Sequence, residues 1–240
     1  MDEDKYKRFM EELDKKVYQE PVNARIDNNG VIVPEHVGYK LDQQKFKERF
    51  YTSFFENKSA SMEVPLLKIH PNVDTELLAN IRTQRIGQYV THFNPNNKER
   101  SHNILLSSEA INNHVVFPGK TFSFNRVVGK RTKERGYLQA PVIVKGEIAE
   151  DIGGGICQVS STLFNAVDQA GVQIIERFSH SKSVPYVPPG RDATVSWYGP
   201  DFTFKNNLNQ PLLIQSKIVD GKVIISIYSS DMVDSSEHFS

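Results

Sequence analysis

Cys157 is the only cysteine among the 240 residues and the residue best suited to nucleophilic chemistry. It lies in DIGGGICQVSSTLFNAVDQAG, residues 151–171. Gly153, Gly154 and Gly155 lead into it, and an amphipathic helical pattern leads out of it. That spacing puts the thiol at or near a helix N-terminus. Unpaired backbone N–H groups and the helix dipole favour an anion there, so the thiolate is stabilised. The thiolate is the nucleophilic form of cysteine. The competing reading is a small, inert, buried residue, because free cysteine is among the most buried residue types.

A thiol nucleophile needs a base, usually histidine, and a group that orients the base. Both types follow in ERFSHSKSVPYVPPGRDATVSWYGPDFTFKN, residues 176–206. His180 sits just past a predicted strand, Asp192 follows the PPGR turn, and Asp201 follows a second turn. The assignment is Cys157 as nucleophile, His180 as base and Asp192 as the orienting carboxylate. Gln158 and the N–H groups around Gly154 and Gly155 offer an oxyanion hole if the helix begins there. Each residue also has a purely structural reading. His180 can bond a loop, Asp192 and Asp201 can cap turns, and the glycines can form a tight strand-to-helix connection. No Gly-Lys-Ser/Thr ends the glycine run, which argues against a phosphate loop. A single cysteine excludes an intrachain disulfide framework and a multi-cysteine zinc site. The spacing of Cys157, His180 and Asp192 matches no standard zinc motif, so no metal and no other cofactor is expected.

The positioning elements fall into two groups. Tyr6, Phe9, Met10, Leu13 and Val17 give residues 5–18 one apolar helical face. Asn29-Gly30, flanked by Ala24–Ile26 and Val31–Val33, predicts a β-hairpin. Asp42 caps a second helix bearing Phe46, Phe50 and Phe54, a stripe read as core packing. Residues 64–70 read as a strand, with Pro65 indicating an edge. Asp74 starts a short third helix. The polar stretch FNPNNKERSHN, residues 93–103, marks a change of composition, and the domain boundary is placed near residue 85.

The second group opens with a strand at Gly87–Phe93 and a helix over 101–112 with Ile104, Ser108 and Ile111 on one face. A turn at Pro118-Gly119, a strand at Thr121–Phe124 and a β segment at Gly136–Val144 follow. In the cysteine helix, Val159, Leu163, Ala166, Val167 and Ala170 form the packing face, and Gly171 fits the C′ position. Strands are predicted at Val172–Phe178, Ala193–Trp197, Phe202–Phe204, Pro211–Val219 and Lys222–Tyr228. Asp220-Gly221 is the hairpin turn between the last two. The fold class is α+β: a small α+β domain over 1–85, a β-rich domain with a central cysteine helix over 86–230, and a disordered tail over 231–240.

Hydrophobic residues make up 38% and charged residues 24%, enough apolar content for a core. Lys+Arg and Asp+Glu both number 29, so the net charge is zero and there is no electrostatic footprint for nucleic acid. No stretch is long and apolar enough to span a bilayer, and the charged start MDEDKYKRF is not a signal peptide.

The runs at 117–146, 151–181, 184–195 and 201–206 together resemble the VanW family, over roughly residues 87–228. The blocks GGGICQVSSTL, ERxxHS and GRDATV stand in the family's order and spacing. The motif letters fall on Gly153, Gly154, Gly155, Cys157, Gln158, Ser160, Ser161, His180, Asp192 and Asn206, with Arg191 inside GRDATV. Where the family has Gly or another small residue after Ile-Asn, this chain has Asn113-His114. A helix bearing the thiol, followed by strands bearing His and Asp, is also the layout of papain-like and transglutaminase-like sites. The transglutaminase register differs, because its His would begin the strand that starts here at Asp192. The first portion resembles the peptidoglycan-binding module that precedes VanW domains and L,D-transpeptidase domains.

The VanW resemblance implies a Gram-positive cell-surface protein linked to glycopeptide (vancomycin) resistance. Its setting would be extracellular and cell-wall associated, with a membrane anchor or signal outside this chain. The implied partner is peptidoglycan or its stem peptides. Two functions follow as expectations. One is cysteine-dependent amidase or transpeptidase chemistry on peptide amides, with Cys157, His180 and Asp192 catalytic and Gly154, Gly155, Gln158, Ser160, Ser161, Arg191 and Asn206 binding. The other is a non-catalytic wall-binding or scaffolding role, in which Tyr186, Trp197 and Tyr198 supply stacking surface.

Overall fold

The computed structural model describes residues 2–55, 61–144 and 147–234, and side chains outside 142–149. The chain divides into two compact units, Met1–Leu78 and Ala79–Ser240.

In the first unit, Asp2 caps α1 (Glu3–Val17) by accepting from the Lys5 amide at 3.2 Å. The Asn-Gly turn joins β1 (Arg25–Ile26) to β2 (Ile32–Val33), an antiparallel pair. Asp27 closes that turn by accepting from the Asn29 and Val31 amides. β3 (Gly38–Leu41) pairs with β4 (Leu66–Ile69). α2 (Gln43–Phe55) is capped by Asp42 through the Lys45 amide, and Asp74 caps α3 (Thr75–Ile81) through the Leu77 amide. Met10, Leu41 and Phe46 form the core, with Tyr6, Leu13, Val17 and Phe50 against it. The phenylalanine stripe is thus core only at its start. Phe54 is 52% exposed and stacks on Phe50, because the helix runs past the surface it packs on.

The second unit is built around α6 (Ile156–Gln169), whose five expected packing residues are all buried. Beside it lies a four-stranded antiparallel sheet in the order β5 (Gln84–His92), β13 (Lys222–Ser229), β12 (Leu212–Val219) and β6 (His114–Val116). Asp220 and Gly221 turn β12 into β13 with φ of 47° and 72°, the left-handed values such a hairpin requires. Asn113 also takes a positive φ, 63°, which asparagine tolerates, so its place in the family's small-residue position is sterically accommodated. α4 (Lys98–Ile111) buries Ile104, Ser108 and Ile111 and contacts both α6 and β12. A second sheet orders β10 (Gln173–Glu176), β11 (Thr203–Lys205) and β7 (Thr121–Ser123), all antiparallel. The architecture is mixed α+β.

Four local expectations change. α5 (Phe124–Val128) is a helical turn capped by Ser123 where only a strand end was expected. The β segment placed at 136–144 starts later, as β8 (Gln139–Val144), because Gly136 closes a 3-10 turn at φ 84°. It pairs with an unanticipated β9 (Glu147–Ile152). The strand predicted at Ala193–Trp197 is absent. Its backbone groups bond Ser161, Phe178 and Pro200 instead of a neighbouring strand. The tail does not begin at residue 231: Val233 is buried in the core, and the Asp234 amide donates to Asn209 at 2.9 Å. Residues 235–240 lie outside the described residues.

β5 meets α6 at Gly87. A Cβ there would strike the Ala166 carbonyl oxygen, so only glycine allows the strand and helix backbones to approach this closely. Gly87→Ala should lower unfolding free energy by about 2–3 kcal/mol through overpacking. Urea denaturation followed by the fluorescence of Trp197, the only tryptophan, measures this directly.

Candidate active site

The glycine turn sets the thiol. β9 ends at Ile152, and the chain enters α6 through Gly155, which caps the helix at φ 108° without a side-chain bond. Gly154 lies against β8, where an added Cβ would be 2.5 Å from the Ala140 carbonyl oxygen. Asn103 of α4 fastens this turn. Its amide donates to the Leu138 and Gly154 carbonyls at 2.9 and 3.0 Å and its oxygen accepts from the Leu138 amide at 2.8 Å. Ile156 and Gln158 spend their amides on the Gly153 and Gly155 carbonyls. The Cys157 amide between them has no hydrogen-bond partner among the described residues. Cys157 therefore stands in the first turn of a 14-residue helix, as the glycine run implied.

His180 and Asp192 are brought to it. One oxygen of Asp192 accepts from both the His180 backbone amide and ring Nδ1, each at 2.6 Å. The side chains of this pair are almost wholly buried. With Nδ1 directed at the carboxylate, Nε2 is left for the thiol. Cys157 lies 3.7 Å from the Thr194 hydroxyl and 3.5 Å from the Val195 carbonyl, to which the thiol donates. Burial pushes the thiol up, but the hydrogen bond and charge of His180, then Val195 and Thr194, hold it below its ordinary value. Burial pushes the His180 imidazole down, and Cys157 and Asp192 together carry it above its ordinary value. Burial likewise raises the Asp192 carboxyl, and its bonds to His180 hold it below the usual carboxylate range. The three groups favour a thiolate, an imidazolium and a carboxylate in one row.

The other expected site residues divide sharply. Gln158 is 1% exposed and fully engaged, donating to Thr91 Oγ1 and the His92 carbonyl and accepting from Arg100 at 2.7 Å. Its carboxamide is not free to hold an oxyanion. Ser160 and Ser161 are buried and reach back to the Cys157 carbonyl at 3.1 and 2.7 Å. Both also donate to the Ala193 carbonyl, and Ser161 accepts from the Ala193 amide at 2.9 Å. Asn165, one turn later, bonds the Arg191 carbonyl and its Nε at 2.7 and 2.6 Å. Arg191 also reaches Asp168 and lies over the Phe164 ring. Ser160, Ser161, Asn165 and Arg191 clamp the 191–193 segment to α6 and so fix Asp192; they do not line the cavity, whereas Gln158 does. Asn206 lies away from it too, bonding the Val116 and Gln210 carbonyls and the Leu208 amide. Asp201 caps α5 through Ser123 and the Asn125 amide.

Cys157 and His180 open into a cavity of about 880 Å³, walled by Tyr186, Trp197 and Tyr198. Sequence reasoning missed its two half-buried arginines, Arg100 of α4 and Arg131 after α5. Nothing local in the sequence marks them, because both come from elements distant in the chain. Tyr186 is pushed well above its ordinary value by burial and by the neighbouring thiolate. Among the described residues, no cluster of three His, Cys, Asp or Glu residues could hold a metal ion, and no helix is long and apolar enough to cross a membrane.

Comparison with known proteins places this site in context. The family model described as "VanW like protein" matches residues 99–228, which include Arg100, Cys157, His180 and Asp192. The model described as "Putative peptidoglycan binding domain" matches residues 1–62. The chain is 62% identical over 235 residues to the uncharacterized protein YoaR of Bacillus subtilis, covering 98% of this chain and 78% of the relative. It is 30% identical over 132 residues to the vancomycin B-type resistance protein VanW of Enterococcus faecalis, covering 53% of this chain and 48% of that one. No solved structure matches.

The charges of the row make a pH prediction. Cys157 is held low, so alkylation by iodoacetamide should persist below the pH at which free cysteine loses reactivity, and fall only as pH drops through the lowered value. Asp192→Asn removes the charge that favours the imidazolium. His180 then falls, the thiolate loses its cationic neighbour, and the alkylation midpoint should rise by about one pH unit. An unchanged midpoint contradicts the coupling.

Proposed function

The chain belongs to the VanW family, and from that premise we propose that it is a cell-wall enzyme in which Cys157 attacks peptide amides of peptidoglycan. The observation that carries this reading is the His180 ring, held at Nδ1 by Asp192 and lining the same cavity as Cys157, whose thiol it holds low. His180 Nε2 accepts the thiol proton, and Sγ forms a bond to the amide carbonyl carbon. The negative charge moves to the carbonyl oxygen. The unspent Cys157 amide, at the positive end of α6, is the donor placed to receive it. Collapse breaks the C–N bond, and the imidazolium returns its proton to the departing amine. The thioester left on Cys157 is then taken by water, giving hydrolysis, or by a second amine, giving transfer.

The setting fits the chemistry. The peptidoglycan-binding-domain match over residues 1–62 supports a cell-wall partner and, with the family, a cell-wall location, and on this reading the protein works outside the cell. The E. faecalis relative is named for vancomycin resistance, and we extend that link to this chain. The Tyr186, Trp197 and Tyr198 wall favours a second reading, a binding module without chemistry.

Incubation of the full chain with soluble peptidoglycan fragments, followed by mass spectrometry, separates the two. The enzyme reading expects new amine or carboxyl termini and a thioester on Cys157. Cys157→Ala should lower turnover by about 10³-fold or more, and Asp192→Asn should lower kcat with little change in KM. Fragments bound but left intact by the wild-type chain, with cell function retained in Cys157→Ala, would establish the binding module instead.

A further inference from the structure

Among the described residues, Arg131 is the least satisfied charged group of the second unit. Both terminal guanidinium nitrogens are buried, and neither has a hydrogen-bond partner. The guanidinium lies 5.8 Å from the Phe124 ring centre, but a ring face is not a counter-ion. Asp201 acts on it only through charge, because its oxygens are taken by Ser123 and by the Asn125 and Phe202 amides. Arg100, also lining the cavity, donates to the neutral Gln158 and has no carboxylate partner among the described residues. Burial pulls both guanidinium groups below their ordinary values, and the charge of Cys157 acts on each. Lys130 adds a third cation at the rim, donating to Tyr198 Oη at 2.7 Å. Among the described residues the cavity wall holds one carboxylate, Asp151, and that accepts from the neighbouring Ile152 amide at 2.7 Å. Two guanidiniums without a carboxylate hydrogen-bond partner among the described residues therefore line one cavity with a thiol and an aromatic wall. A buried unpaired cation is costly, and an arginine fork matches a carboxylate.

We infer that the cavity takes a peptide ending in a free carboxylate, which Arg131 and Arg100 hold beside Cys157 while Trp197 and Tyr198 cover its apolar face. This rests on the amide-attack reading and narrows its substrate. The scissile amide lies near a carboxylate end, because the arginines and the thiol line one cavity. The carboxylate fills the donors that the protein leaves unbonded. The same cations favour the thiolate in the empty site and are neutralised once the substrate is bound.

The test separates this inference from the chemistry. The full-length Cys157→Ala chain is titrated with N-acetyl-alanyl-alanine, in L,L and D,D forms, with the same dipeptides as C-terminal amides, and with acetate, and Trp197 fluorescence is followed. The free-carboxylate dipeptide should bind about ten-fold or more tighter than its amide, and tighter than acetate. Arg131→Gln should erase the difference, while Arg131→Lys, which keeps the charge, should retain part of it. Equal affinity for acid and amide, acetate matching the dipeptide, or no saturable signal from any of them would overturn the inference, whether or not Cys157 is catalytic. In the wild-type chain, iodoacetate should alkylate Cys157 faster than the neutral iodoacetamide, and Arg131→Gln should slow the former several-fold more than the latter. Slow reaction with both reagents alongside carboxylate-dependent binding would sink the enzyme reading and leave the subsite standing.

Discussion

A helix that buries its polar side chains must find a partner for each of them. α6 buries Gln158, Ser160, Ser161, Thr162 and Asn165 almost completely. Its apolar face is covered by the sheet and α4, so the polar side chains set which other segments can approach. An unsatisfied buried polar group costs about 1–3 kcal/mol, and five of them would consume much of a domain's net stability of about 5–15 kcal/mol. Every one is satisfied. Thr162 meets Thr91 of β5 at 2.8 Å, Gln158 meets Thr91, His92 and Arg100, the two serines take Ala193, and Asn165 takes Arg191.

That constraint builds the site. The 191–195 segment is not a strand and has no ladder to hold it. It is fixed because the serine and asparagine side chains of α6 act as its hydrogen-bonding neighbour. Asp192 sits between the two clamped residues, Arg191 and Ala193, and so has little freedom to leave His180. The carboxylate then does two things with one oxygen: it holds the backbone where His180 begins and it orients the ring. On the other side, Asn103 fastens the glycine turn to α4, which fixes the start of α6 and with it the thiol. Two sets of buried hydrogen bonds thus bring together groups from separate stretches of chain.

The electrostatics follow from the same arrangement. Burial alone would keep the thiol neutral and the imidazole uncharged. Their proximity reverses both tendencies, since each charged form is the other's counter-ion. Arg100 and Arg131 add positive charge that no carboxylate hydrogen-bonds among the described residues. An excess of cation in the cavity beside the thiol suits a site that waits for an anion.

Local pattern was enough for the parts whose physics is local. The glycine run and the apolar spacing after it locate the thiol at a helix start, because caps and amphipathic faces depend on a few consecutive residues. The Asn-Gly and Asp-Gly turns and the Asp42 and Asp74 caps were legible for the same reason. The types of His180 and Asp192 pointed to a base and its orienting group, and the structure brings them together. Ser160, Ser161, Arg191 and Asn206 belong to the same motif, but the sequence does not say which way a side chain faces. The first three turn out to lash the motif's segments together, and Asn206 holds a turn elsewhere. Arg100 and Arg131 carry no local signature, since a guanidinium becomes an unpaired buried charge only through what the rest of the chain fails to place beside it. Sequence determined which residues can do chemistry and where the helix that carries the thiol begins. Tertiary structure decided which of them meet, because burial, partner choice and net charge of a cavity are properties of several distant segments at once.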